Sequence, residues 1–183
     1  MPKRQRKTPS WADVKSALAG FDRPGLLALI QAMYTADKRN QAFLHARFGL
    51  GESVLAPYKK TIARWISPDV FSDCDTSVSK AKQAVSDYRK AAGDPAGLLE
   101  LMVFYCECAS NFCSEYGNDD AGYYDALVLM FQQALVLLDT LPADLLEEFV
   151  ARLNRVRDTC RNFGYGVSDA MDDLLMEYDV IHN

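Results

Sequence analysis

Residues 98–138 read LLELMVFYCECASNFCSEYGNDDAGYYDALVLMFQQALVLL. In the first half, Leu98, Leu101, Met102, Tyr105, Cys108, Ala109, Phe112 and Tyr116 recur at the spacing of one α-helical face. Leu99, Val103, Cys106 and Cys113 form a second apolar stripe beside it, which leaves Glu100, Glu107, Asn111 and Ser114 as the line suited to water. The second half, 126–138, is apolar nearly all round. Helices of this kind are buried ones, because each Leu, Val, Phe or Met side chain removed from water contributes roughly 1.5–3 kcal/mol. The pair is therefore expected to be the core, with neighbouring helices packed on both.

Working outward, cap and stop residues divide the rest into similar pieces. Ser10 with Asp13 begins a helix that Gly20 can end, and Asp22 with Pro24 begins another carrying Leu26, Leu27, Leu29, Ile30, Met33 and Tyr34. Asp37 starts a third, which runs through Phe43, Leu44 and Phe48 to Gly49. Pro57 fits the first turn of a fourth, with Tyr58, Ile62, Trp65 and Ile66 inward and Lys59, Lys60 and Arg64 outward. A helix over 79–92 presents Ala81, Ala84, Val85 and Tyr88. Beyond the central pair, Pro142 precedes a helix with Leu145, Leu146, Phe149, Leu153 and Val156 inward, and Ser168 is read as capping the last, which carries Met171, Leu174, Leu175 and Tyr178.

The expected fold is all-α, about nine helices stacked as antiparallel hairpins in a bundle or short solenoid-like array. A faint internal echo, Cys108 to Gly117 against Cys160 to Gly166, fits repeated hairpin units. Residues 1–9 read as a basic flexible tail and 10–183 as one helical domain, with an internal boundary placed at 67–77, where the periodicity breaks.

Composition and charge narrow the function classes. The chain has 183 residues, 49% of them hydrophobic and 25% charged, as in an ordinary globular protein. Its net charge of −5 hides a division: residues 1–66 carry +8 and residues 67–183 carry −13. Such asymmetry steers partners or is neutralised within the fold. The longest apolar run is interrupted by Gln132 and Gln133, so no membrane span is expected, and with no secretory leader the chain reads as cytoplasmic. The five cysteines then default to reduced core thiols.

Catalytic and metal motifs are weak. Cys106 and Cys108 point about 200° apart on a helix, and Cys106 and Cys113 share a face without a nearby histidine, so a zinc set is not expected. His45 and His182 lack the neighbours of a nucleophilic triad. Asp169, Asp173 and Glu177 share a helical face, but no Glu-x-x-His pattern accompanies them, and they are expected to meet water or Arg152, Arg155, Arg157 and Arg161. No phosphate-cradling glycine loop occurs, and no cofactor is expected.

Two binding surfaces stand out. Lys59, Lys60 and Arg64, with Lys38, Arg39, Arg47 and Trp65, make a basic aromatic patch, although Trp65 fits the inward stripe better than a stacking platform. The turn between the two core helices and the later tyrosine turn gather Tyr116, Asn118, Asp119, Tyr123, Tyr124 and Tyr165.

The ordered segments LLALIQAMY (26–34), FL (43–44), YKKTI (58–62), AKQAVSDY (81–88), DP (94–95), EYG (115–117) and GYG (164–166) together resemble a family of uncharacterised all-helical bacterial proteins, catalogued only as a domain of unknown function. The resemblance spans nearly all of the chain after the tail. It implies one compact helical domain in a bacterial cytoplasm and carries over no catalytic residue. The leading functional expectation is a non-enzymatic scaffold or adaptor for a protein or peptide partner. The alternative is a nucleic-acid-associated accessory protein using the basic front half, with weak contact through Lys3, Arg4, Arg6 and Lys7. A leftover apolar face also leaves homodimerisation open.

Overall fold

The computed structural model describes residues 8–71 and 75–182, and the side chains there except at 143–144 and 179–182. The four cations of the N-terminal segment, Cys74 and the His182 side chain lie outside the described residues. Among the described residues the fold is all-α: α1 (Trp11–Leu18), α2 (Arg23–Ala36), α3 (Lys38–Phe48), α4 (Ala56–Ile66), α5 (Val78–Ala91), α6 (Pro95–Tyr116), α7 (Ala121–Leu138), α8 (Ala143–Thr159) and α9 (Val167–His182). A 3-10 turn at Cys160–Asn162 joins α8 to α9.

Local chemistry sets the helix ends. The Asp13 carboxylate accepts from the backbone N–H of Ser10 at 2.7 Å and from its hydroxyl at 2.8 Å, which closes the start of α1. Asp22, Asp94 and Asp120 each accept from a glycine N–H in the following first turn, at 2.7–2.8 Å. Asp37 accepts from the N–H of Arg39 to start α3, and Gly49 ends that helix in the left-handed region at φ 62°. Ser168, expected as a cap, lies inside α9, which begins one residue earlier.

Among the described residues α2 packs with α3, α4 with α5 and α6 with α7, and alternate helices stack: α3 on α5, α4 on α6, α6 on α8 and α7 on α9. The core is built on α6 and α7. Leu99, Leu101, Val103, Tyr105, Cys106, Ala109, Leu127, Phe131, Ala134 and Leu138 are fully shielded from solvent. Cys108 is half-buried, and Tyr116 lies at the exposed end of its helix. Burial pushes the Cys108 and Cys113 thiols up to about 11 and Cys160 up to about 12, so these are neutral core thiols. Helix α7 is long and apolar enough to span a membrane, and half of it is buried inside this fold.

Two approaches fix the geometry. The Tyr123 hydroxyl donates to the Ile66 carbonyl at 2.5 Å, tying α7 to the end of α4. Gly97, in the first turn of α6, lies so near Tyr88 that a Cβ there would stand 2.2 Å from the phenolic oxygen, so α5 and α6 meet this closely only because position 97 lacks a side chain.

Of the water-facing line expected on α6, Asn111 and Ser114 are exposed, but Glu100 and Glu107 are covered. Glu100 and Glu107 are two turns apart on one face, and the Arg152 guanidinium of α8 binds both: Nη1 to Glu100, and Nε and Nη2 to Glu107 at 2.8 Å each. Lys59, expected outward, donates to Glu100 at 2.6 Å. Burial pushes the Glu100 carboxyl up, but the hydrogen bonds from Arg152 and Lys59 outweigh it and hold the group below its ordinary value. Arg152 is therefore not a partner of the α9 carboxylates. Arg157 lies 3.4 Å from the α9 carboxylate of Asp172, Arg161 pairs at 3.1 Å with Asp158 of α8, and Asp169, Asp173 and Glu177 are exposed to water as expected.

The N-terminal helices differ. Helices α1 and α2 bury no residue, and α3 buries Ala46 alone. The apolar face expected to be covered on α2 is open: Leu26, Leu27, Leu29, Ile30 and Met33 are 38–57% exposed. Helix α2 is held to α3 by a 2.9 Å hydrogen bond between the Tyr34 hydroxyl and His45 Nε2, and by Asn40 Nδ2 donating to the Met33 carbonyl at 2.7 Å.

Candidate functional site

Helices α3, α4 and α5 enclose a cleft of about 660 Å³. Each wall has a sequence reason. Helix α4 is strongly amphipathic, and burying Tyr58, Ile62 and Ile66 turns Lys60, Thr61 and Arg64 to its other side. Helix α5 buries Ala81, Ala84, Val85 and Tyr88, which puts Lys80, Asp87 and Lys90 beside α4. Helix α3 brings Lys38, Arg39 and Phe43. Its position is fixed by Arg47, whose Nη2 donates to the Lys90 carbonyl at the end of α5 at 2.8 Å, a cation at the negative end of a helix.

The result is a ring of six cations, Lys38, Arg39, Lys60, Arg64, Lys80 and Lys90, with a single carboxylate, Asp87. Among the described residues no ion pair engages Lys38, Arg39, Lys60, Lys80 or Lys90. Asp87 accepts a 2.6 Å hydrogen bond from Gln83. Apolar contact is available from Phe43, Tyr58 and Trp65. The Trp65 ring, half-buried rather than fully inward, already carries two cations, Lys80 Nζ 3.7 Å from its centroid and the Arg64 guanidinium at 4.5 Å. Tyr58 stacks edge-on against Tyr88 at 5.3 Å, and its buried hydroxyl has no hydrogen-bond partner. Burial first, then the nearby Asp87, pushes that phenol up to about 12.

The cleft gathers Lys60 and Arg64 from the basic patch read in the sequence, with Lys38, Arg39 and Trp65. It leaves out Lys59, which faces α6, and Arg47, which clamps α3 to α5. Lys80, Lys90 and Asp87 were missed. The signal was present, because the apolar stripe of α5 fixes its charged side, but it needed the pairing of α5 with α4.

The tyrosine cluster is also brought together. Tyr165, at φ 61°, stacks on Tyr124 with centroids 5.2 Å apart, and Tyr124 meets Phe163 at 5.9 Å. Tyr116 packs on Phe112. The hydroxyls are engaged by backbone: Tyr124 donates to the Asn118 carbonyl at 3.0 Å, Tyr165 to that of Asp119 at 3.1 Å, and Tyr123 to Ile66. Asn118 accepts from the N–H of Asp120. This arrangement pins the α6–α7 turn to the α8–α9 turn and offers few open polar groups to a ligand.

Among the described residues no group of three or more His, Cys, Asp or Glu side chains is placed to hold a metal ion. No protein-family model, no curated protein and no solved structure matches the chain.

Proposed function

We propose that this protein is a non-enzymatic helical adaptor whose α3–α4–α5 cleft takes an acidic peptide segment of a partner protein. One observation carries the reading: six cations and three aromatic side chains surround one 660 Å³ cleft that holds a single carboxylate. Cations this close repel one another, and an anionic segment relieves that repulsion while its apolar atoms lie on Phe43. The division of charge along the chain accords with it, since the cleft lies mostly within the basic part. The resemblance to a bacterial family and the cytoplasmic location belong to the same reading. Nucleic acid is the weaker occupant, because base stacking needs an open aromatic face and the Trp65 ring already carries its own cations.

Fluorescence anisotropy with a labelled Asp/Glu-rich peptide and with a labelled oligo-dT strand tests it. The peptide is expected to bind more tightly than the oligonucleotide, in a salt-sensitive way. The double variant Lys60→Glu/Arg64→Glu should lose at least tenfold in affinity, about 1.4 kcal/mol, while Lys59→Gln changes it little. Equal peptide affinity in the cleft variant, or tighter binding of the oligonucleotide, overturns the reading.

A further inference from the structure

Helix α9 turns Val167 and Met171 into the core, which leaves Asp169, Asp172, Asp173, Met176 and Glu177 together on its opposite side, at offsets 0, 3, 4, 7 and 8. No lysine or arginine follows Arg161 in the sequence. Arg157 reaches Asp172, whereas among the described residues Asp169, Asp173 and Glu177 make no ion pair. Among these carboxylates Met176 is 67% exposed. An apolar side chain set among anions is the counterpart of the α3–α4–α5 cleft, where Phe43, 38% exposed, is set among cations. We infer that the acidic segment taken by the cleft is α9 of a second copy of this chain.

This contact rests on the reading that the cleft takes acidic segments, and it names their source. Within one chain α9 packs on α7 and α8, neither of which lines the cleft, so the cleft walls are not neutralised by the α9 of their own chain. The cleft also holds a donor in need of an acceptor: Tyr58 is 5% exposed, and its hydroxyl has no hydrogen-bond partner. A carboxylate supplies that acceptor. Size sets how much of α9 enters. The stretch from Asp169 to Glu177 is about 12 Å long and, at a helix diameter of about 10–12 Å, occupies on the order of 1,000 Å³. A cleft of about 660 Å³ therefore takes one face of the helix, not the whole cylinder. On that face Met176 meets the Phe43 ring, a favourable pairing of thioether and aromatic, while the carboxylates meet the surrounding cations. Because the two surfaces differ, the contact is heterologous and passes from copy to copy, into an open chain or a closed ring.

Sedimentation equilibrium of the full chain, from about 1 to about 300 µM in about 50 mM salt, reads the contact. The average mass should rise above one chain with concentration, and should fall back in about 500 mM salt, where charges are screened within about 4 Å. Lys60→Glu/Arg64→Glu removes the cleft half of the contact, and Asp173→Asn/Glu177→Gln removes the helix half. All four side chains are exposed, so both variants should keep the helical circular dichroism of the parent. Each alone should stay a single chain, and an equimolar mixture should form a complex of two chains and no larger, because one intact cleft meets one intact α9. Glu147→Gln/Glu148→Gln, an equal change of charge on an exposed part of α8, should associate as the parent does. A single-chain parent, a mixture that does not associate, a cleft variant that associates like the parent, or an α8 variant that dissociates like the α9 variant each overturns this inference. The labelled Asp/Glu-rich peptide is then added to Asp173→Asn/Glu177→Gln, whose cleft is intact. Binding there leaves the cleft reading standing whatever the fate of the α9 contact, and no binding overturns that reading.

Discussion

Helices α2 and α6 are written in the same language: both begin at an aspartate cap with proline in the first turn, and both carry leucine-rich stripes. Helix α6 lies against α4, α5, α7 and α8 and buries twelve residues, whereas α2 lies against α3 and buries none. The difference is one of neighbours. An apolar stripe states that a face will be covered when a cover is available, and α6 finds its cover within the chain. The α4–α9 array is thus the stable body of the molecule, and α1–α3 is an attachment whose one firm side, α3, forms a wall of the cleft.

That contrast can be broken or sharpened by substitution. The largest effect is expected at Phe131, fully buried in α7, where Phe131→Ala should cost about 3–5 kcal/mol in urea unfolding by leaving a cavity. A smaller loss in unfolding free energy would mean that the core is looser than its burial implies. Next comes Arg152→Ala, which leaves Glu100 and Glu107 facing each other's charge on a half-buried surface. A cost of about 2 kcal/mol at neutral pH is expected, below the 3–5 of a fully buried pair because Glu107 retains access to water. The pH dependence follows in sign: the folded-state Glu100 carboxyl is held below its ordinary 4.5, so its contribution is present above that value and is lost as pH falls through the lowered one. Acid titration of unfolding free energy should be shallower in Arg152→Ala than in the parent. The smallest effect belongs to the attachment, where Phe48→Ala, at a side chain 67% exposed, should move stability by no more than about 0.5 kcal/mol.

Much of this architecture is legible in the residues. Proline, glycine and aspartate punctuate the helices where the caps form, and the 3.6-residue period selects the buried side chains of α5 to α8, because both are local properties of the chain. The reading fails where the answer depends on a distant element. Glu100 and Glu107 look solvated until α8 brings Arg152 across them, and Lys59 looks outward until α6 stands beside it. The α2 stripe looks like core until its neighbours prove to be few. The cleft was half legible: Lys60 and Arg64 share a helix with Trp65, but Lys80 and Lys90 join them only through the packing of α5 on α4.

The bridge from Arg152 to the two α6 carboxylates also governs alignment. Apolar side chains on α6 and α8 would find other apolar side chains if one helix slid past the other by a turn. The guanidinium would not: a slip of about 5.4 Å carries it from a position between two carboxylates to one beside a single carboxylate or none. A charge stranded at 12% exposure makes that slipped arrangement expensive, so the bridge acts as an index mark, distinguishing one register from neighbours that hydrophobic contact alone leaves nearly equal.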